Sequence, residues 1–145
     1  MTKHRADRQE AIREIIRRLP VKTQGELVEE LRKIGLRCTQ ATVSRDITDM
    51  GLRKLPEGIY VLSEDLHLQH MVSEFVTSVD RANNLVVIKS MPGTAPGVAA
   101  AIDAATLSDV VGSVAGNDTV LVISASDKSA AEHVVFLQNL RASRK

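Results

Sequence analysis

The sequence predicts an α+β protein of two domains, a helical N-terminal domain that ends in a β-hairpin and a C-terminal antiparallel sheet packed against helices. The first half of the chain carries three helical patterns and two short strand-like runs, whereas the second half alternates hairpins with helices. Residues 1–63 hold 13 Lys and Arg against 9 Asp and Glu, a net charge of +4, and the remainder has a net charge of −3. A basic first domain suits a polyanionic partner.

The first two helices are predicted from their ends and from apolar spacing. Pro20 closes the first helix, and a Thr-x-x-Glu capping box from Thr23 to Glu26 opens the second helix, which Gly35 ends. The apolar residues at helical spacing are Ala11, Ile12, Ile15, Ile16 and Leu19 in the first helix and Leu27, Val28, Leu31 and Ile34 in the second. Each helix should therefore bury one face.

Residues 38–50 predict a third, amphipathic helix that Gly51 stops. Its expected buried side consists of Ala41, Val43, Ile47 and Met50. Two strands at residues 52–55 and 59–62 follow, joined by a turn at residues 56–58. Three helices and a hairpin in this order predict a winged helix-turn-helix, whose third helix enters the major groove of double-stranded DNA.

The polar side chains of the third helix suit base reading. Arg45 offers two parallel donors to O6 and N7 of guanine, and Gln40 can read adenine. Thr42 and Ser44 can hold a phosphate or a base edge, and Lys54 in the hairpin would lie along the DNA backbone. A solvated surface helix is the alternative, but the order of the flanking elements favours DNA binding.

The second domain is expected over residues 71–145, after a linker at residues 64–70. The pattern predicts strands at residues 75–80, 85–90, 110–115 and 119–124, a helix from the loop at 92–97 to residue 105, and a last helix at residues 128–140. Continuous apolar runs at residues 86–88 and 120–123 are typical of a sheet covered on both faces. Because the domain is small and poor in aromatic residues, we expect neighbouring subunits to cover one of these faces.

Other classes of protein find little support. The N-terminus lacks the apolar core of a signal peptide, no run approaches ~18 apolar residues, and the single cysteine, Cys38, excludes an internal disulfide, which favours a cytoplasmic protein without a membrane span. The loop at residues 93–97 lacks the Lys-Ser/Thr of a phosphate-binding loop. His67 and His70 have no further ligand nearby in the sequence. We therefore expect neither an enzyme nor a metal site.

The sequence resembles the bacterial arginine repressor family along essentially its whole length. The first domain carries T-Q-A-T-V-S-R-D-I at residues 39–47. The second carries M-P-G-T-A at residues 91–95, leading to Ile102 and Asp103, and V-G-S-V-A-G-N-D-T-V-L-V-I at residues 111–123. The resemblance implies a homo-hexamer of two stacked trimers, L-arginine as co-repressor between the trimers, and binding to operators of arginine genes. It also implies that Ser44 and Arg45 are the base-reading pair.

The same resemblance places the effector at Asp103, Asn117 and Asp118. The family usually has two adjacent carboxylates where this chain has Asn117 and Asp118, and a polar residue where it has Pro96. One carboxylate fewer should weaken the binding of a guanidinium or favour a neutral analogue such as a ureido group. An architectural member of the family, which oligomerises and loops DNA without sensing arginine, is the alternative that these changes leave open.

Overall fold

A computed structural model describes residues 2–142 of the chain and divides them into two units between Ser63 and Glu64. The N-terminal unit contains α1 (Thr2–Arg18), α2 (Gln24–Lys33), α3 (Gln40–Asp49), β1 (Leu52–Lys54) and β2 (Tyr60–Leu62). The two strands pair antiparallel. This order confirms the winged helix-turn-helix. Its core is entirely aliphatic, formed by Ile12, Ile15, Ile16, Val21, Leu27, Leu31, Val43, Ile47 and Leu62.

The second helix is capped at both ends. Thr23 Oγ1 accepts a hydrogen bond from the backbone N–H of Glu26 at 3.0 Å, as its predicted capping role requires. At the other end Gly35 adopts a φ of +88°, and the N–H of Leu36 reaches back to the carbonyl of Leu31 at 2.9 Å. The helix therefore ends before Ile34 can turn inward. Ile34, which we expected on the buried face, is 54% exposed.

The C-terminal unit begins with a helix where the sequence suggested a linker. Residues 64–70 belong to α4 (Ser63–Phe75), in which Leu68 and Val72 are buried. These two residues lie four apart on one helical face and form part of the second core. The apolar contacts explain why this segment is helical, and the expected linker at residues 64–70 is corrected accordingly.

A four-stranded antiparallel sheet forms the centre of this unit. Its strands are β3 (Val76–Ala82), β4 (Leu85–Ser90), β5 (Val110–Ala115) and β6 (Thr119–Ser124), in the spatial order β3-β4-β6-β5. The remaining helices are α5 (Ala95–Ala105) and α6 (Asp127–Ala142). This arrangement confirms the predicted α+β class. The buried apolar strand residues, Val76, Val79, Val86, Ile88, Val120 and Val122, share a core with the helices.

The other face of the sheet is open in the single chain. Val87 and Leu121 are cross-strand partners, as are Leu121 and Val114. Leu121 is 36% exposed and Val114 is 62% exposed. The strands thus alternate between a covered and an open face, and the apolar residues of the open face explain why their runs looked continuous in the sequence.

The buried face of α6 includes a histidine. His133 is buried together with Ala130 and Leu137, whereas Val135 is 56% exposed. The His133 Nε2–H donates to the carbonyl of Ser108, and Nδ1 shares a hydrogen bond with the hydroxyl of Ser124, both at 2.8 Å. A carbonyl can only accept, so the Ser108 contact places a proton on Nε2. Satisfied ring nitrogens explain how this histidine is tolerated in the core.

Candidate DNA interface and effector residues

The third helix starts at a threonine cap. Thr39 Oγ1 accepts from the backbone N–H of Thr42 at 3.2 Å, and the hydroxyls of Thr39 and Thr42 lie 3.0 Å apart. The cap holds the first turn of α3 in place. Thr42 is half-buried and its hydroxyl is engaged in this cap, so its proposed contact with DNA competes with an existing hydrogen bond.

The outward side of α3 presents Gln40 and Arg45, which are exposed, and Ser44, which is partly exposed. The side chain of Arg45 makes no hydrogen bond or ion pair with any residue in the described part of the chain. Its guanidinium is therefore available to another molecule. Ala41, expected on the buried side, is also exposed on this surface. The small side chain of Ala41 leaves room for this surface of the helix to come close to the floor of a DNA groove.

Asp46, and not Ala41, lies on the buried side of α3. Its carboxylate is buried, and Arg8 in α1 donates to it through both Nε and Nη2, the latter at 3.0 Å. Gln9 Nε2 donates to the same carboxylate at 3.2 Å. Asp46 was not among the residues predicted to be buried, although its spacing to Val43 and Met50 is that of one helical face.

The surroundings of Asp46 shift its ionisation. Burial alone would raise the pKa of Asp46, but the hydrogen bonds from Arg8 and Gln9 and the positive charges of Arg8 and Arg5 together lower it below the ordinary 3.8. A carboxyl with a lowered folded-state pKa stabilises the fold above its unfolded-state pKa. That contribution is lost as the pH falls through the folded-state pKa.

We therefore expect Asp46→Asn to be less stable than the parent at neutral pH, with the difference in unfolding free energy shrinking as the pH falls below about 4. Tyr60 is the single tyrosine of a chain without tryptophan, so tyrosine fluorescence during urea unfolding reports on the N-terminal unit within the full chain. A difference that stays constant across this acid range would contradict the lowered pKa.

The wing, which is the hairpin of β1 and β2, presents two basic residues. Lys54 lies with its Nζ 5.3 Å from the centre of the Tyr60 ring, a cation–π distance. Arg53 alternates to the opposite face of the strand and is exposed, although we had not included it among the predicted contacts. The turn closes through the N–H of Gly58, which donates to the carbonyl of Leu55 at 2.7 Å with a φ of +90° at Gly58. The wing can therefore bring positive charge to a phosphate from either side.

The residues expected to bind the effector lie in two places. Asn117 accepts through its backbone carbonyl from the N–H groups of Gly93 and Ala95 at 3.1 and 3.3 Å, which fixes the β5–β6 turn against the start of α5. The side chains of Asn117 and Asp118 are exposed there. Asp103 lies eight residues beyond Ala95, about 12 Å along the helix. One chain therefore does not bring Asp103 together with Asn117 and Asp118.

Each carboxylate has a hydroxyl partner. Ser113 donates to Asp103 Oδ1 at 2.8 Å, and Thr119 donates to Asp118 Oδ1 at 3.0 Å. Lys89 Nζ in turn donates to Thr119 Oγ1 at 2.9 Å. This chain of contacts orients the Asp118 carboxylate and places a positive charge near it. The Ser113 contact was not evident from the sequence, because it depends on how β5 lies beside α5, whereas Thr119 directly follows Asp118 in the chain.

Other residues considered from the sequence remain outside these clusters. His67 and His70 are exposed on α4, and Cys38 is half-buried, where burial raises the pKa of its thiol. Within residues 2–142 no three His, Cys, Asp or Glu side chains lie close enough to hold a metal ion. No helix in the same range is long and apolar enough to cross a membrane.

Comparison with known proteins identifies both units. Residues 3–68 match the model of the arginine repressor DNA-binding domain, and residues 72–139 match that of the arginine repressor C-terminal domain. The arginine repressor of Moorella thermoacetica is 42% identical over 130 residues, which cover 82% of this chain and 86% of the relative. That of Thermus thermophilus is 42% identical over 138 residues, 88% of this chain and 84% of the relative. That of Acetivibrio thermocellus is 42% identical over 146 residues, 94% of this chain and 95% of the relative. The chain belongs to the arginine repressor family, and its first unit is the DNA-binding domain.

Proposed function

We propose that the protein is a transcriptional regulator that reads operator DNA through α3, assembles as a hexamer of two trimers, and responds to L-arginine as co-repressor. The exposed guanidinium of Arg45 carries the DNA part of this proposal, because it stands on a capped helix and has no partner within the described residues. A guanidinium so placed can donate two hydrogen bonds to a guanine edge. Such a protein would work in the cytoplasm, where DNA and amino acid meet.

Assembly is supported by the open face of the sheet. Leu121 and Val114 are exposed cross-strand neighbours, and Val111 on the same edge strand is 72% exposed. Soluble monomers rarely leave a contiguous apolar patch of this kind uncovered. Copies of the same chain would bury it, which is the usual way for a small aliphatic domain to gain core.

We expect residues 64–145 alone to form trimers or hexamers and to bind no DNA. The fragment has to begin at residue 64, because Leu68 is part of its core. Light scattering measures the assembly and gel shift measures the binding. The variant Leu121→Lys places a charge on the open face and should shift the fragment toward monomers. A folded parent fragment that is monomeric at high concentration would contradict the proposed assembly.

The effector part of the proposal is supported by the separation of the candidate residues. Asp118 and Asp103 lie at opposite ends of α5 in one chain, and both side chains are exposed. A compact site that uses both carboxylates would therefore combine residues of different copies. Such a site would form only in the assembly, which couples binding of the effector to the quaternary state.

Calorimetric titration of the full chain with arginine, citrulline and ornithine tests the effector. We expect arginine to bind more tightly than ornithine, because the guanidinium can pair bidentately with a carboxylate. Citrulline should compete more closely than in a site with two adjacent carboxylates, since Asn117 accepts and donates hydrogen bonds without charge. If the protein assembles and binds DNA but none of the three amino acids gives a heat of binding, the architectural alternative is favoured.

A further inference from the structure

We propose that Asp46 is a positioning residue for base reading, and that its contact with Arg8 sets the rotation of α3 so that Arg45 points outward. The inference rests on the proposed role of α3 at the DNA. The recognition helix meets its own domain through apolar residues, of which Val43 and Ile47 are buried. Apolar contacts are non-directional and tolerate sliding or rotation. The polar contacts to α1 supply the missing direction.

Two ion pairs connect α1 to α3 as a ladder. Arg8 pairs with Asp46, and Arg5 Nη2 lies 2.6 Å from Asp49 Oδ2. The positions rise by three in α1 while they fall by three in α3, so the helices run antiparallel across this contact. Residues three apart share one helical face. The two ion pairs thus hold one side of α3 against α1 along a full turn.

Of the two pairs, the buried pair of Arg8 and Asp46 is the one that fixes the orientation of α3. Arg8 uses Nε and Nη2 together on the Asp46 carboxylate, and Gln9 adds a third donor. Two parallel hydrogen bonds from a planar guanidinium fix both the distance and the angle of the carboxylate. In the other pair, Arg5 with Asp49, both side chains are about half exposed, and solvent weakens such pairs.

The rotation of α3 decides which neighbour faces the DNA. Asp46 follows Arg45 in the chain, and successive helical residues are separated by about 100° around the axis. Rotating α3 by about 100° would therefore place the Asp46 carboxylate at the outer surface instead of the Arg45 guanidinium. Arg8 also neutralises Asp46 where its charge would repel phosphates. The pair holds the anion inward and the cation outward.

The test compares Asp46→Asn with Glu29→Gln in the full chain. Both changes remove one carboxylate charge, but Glu29 belongs to an exposed pair with Arg32 on α2. The DNA probe is a duplex enriched from a random library by the parent protein, and its control is a scrambled duplex of equal composition. The measurement is made at a temperature where circular dichroism shows both variants folded. In Asp46→Asn the ratio of the affinities for the two duplexes should fall about tenfold, as for one lost base contact. Glu29→Gln should keep the ratio.

A second variant separates positioning from stability. Arg8→Met combined with Asp46→Leu replaces the buried pair by apolar side chains, a change that often preserves or raises stability. We expect this double variant to unfold at or above the temperature of Asp46→Asn and still to discriminate poorly between the duplexes. Parental discrimination in the folded double variant or in folded Asp46→Asn would overturn the inference.

The outcome also separates this inference from the proposed function. If folded Asp46→Asn keeps the parental ratio while Arg45→Ala loses it, only the positioning role falls. If the parent itself shows no preference between the duplexes, both the base-reading role of α3 and the inference are overturned.

Discussion

Replacing Arg45 by Ala is expected to cost about 1 to 3 kcal/mol of specific DNA binding and to relax the preference at one base pair. The reason is the loss of a bidentate donor pair that has no partner within the described residues. Competition gel shifts with single-base variants of the enriched duplex measure both the loss and its position. Because the Arg45 side chain is exposed and makes no hydrogen bond or ion pair within the described residues, its removal should leave the unfolding midpoint unchanged.

The matched control is Arg53→Ala in the wing. Arg53 is exposed and basic like Arg45 but lies on a strand that would follow the DNA backbone. Its removal should weaken all duplexes alike and lower the salt dependence of binding by about one counterion. An Arg45→Ala variant that kept the parental affinity for its enriched duplex would end the assignment of α3 as the reading helix.

Replacing Asp118 by Ala is expected to abolish the arginine response. Asp118 supplies the single carboxylate at the β5–β6 turn, where Thr119 orients it and Asn117 carries no charge. The converse change, Asn117→Asp, should raise the affinity for arginine more than that for citrulline. Hydrogen bonds to charged groups contribute roughly 1.5 to 3 kcal/mol, and the cost of burying a second carboxylate reduces the gain.

Calorimetry of the full chain with both amino acids measures this preference, and Glu132→Gln controls for charge. Glu132 is exposed on α6 and is not among the proposed effector residues, so its neutralisation should leave both affinities unchanged. An unchanged ligand preference in Asn117→Asp, together with a full arginine response in Asp118→Ala, would show that the turn is not the sensor. The architectural alternative would then account better for the chain.

Local sequence determined most of the elements. The capping box at Thr23, the stop at Gly35 and the apolar spacing of three helices act within a few residues, so their outcome could be predicted without the fold. The same holds for the class, α+β with a winged helix-turn-helix, and for family membership, which both the motifs and the comparisons support. The base-reading and effector roles of the named residues remain predictions.

Tertiary structure decided the features that depend on distant partners. Asp46 is buried because Arg8, 38 residues earlier, neutralises it, and no local pattern shows such a partner. His133 enters the core because Ser124 and Ser108 satisfy both ring nitrogens. Asp103 lies apart from Asn117 because α5 separates them along its length. A buried polar group is tolerated only where its partners converge, and that convergence is a property of the folded chain.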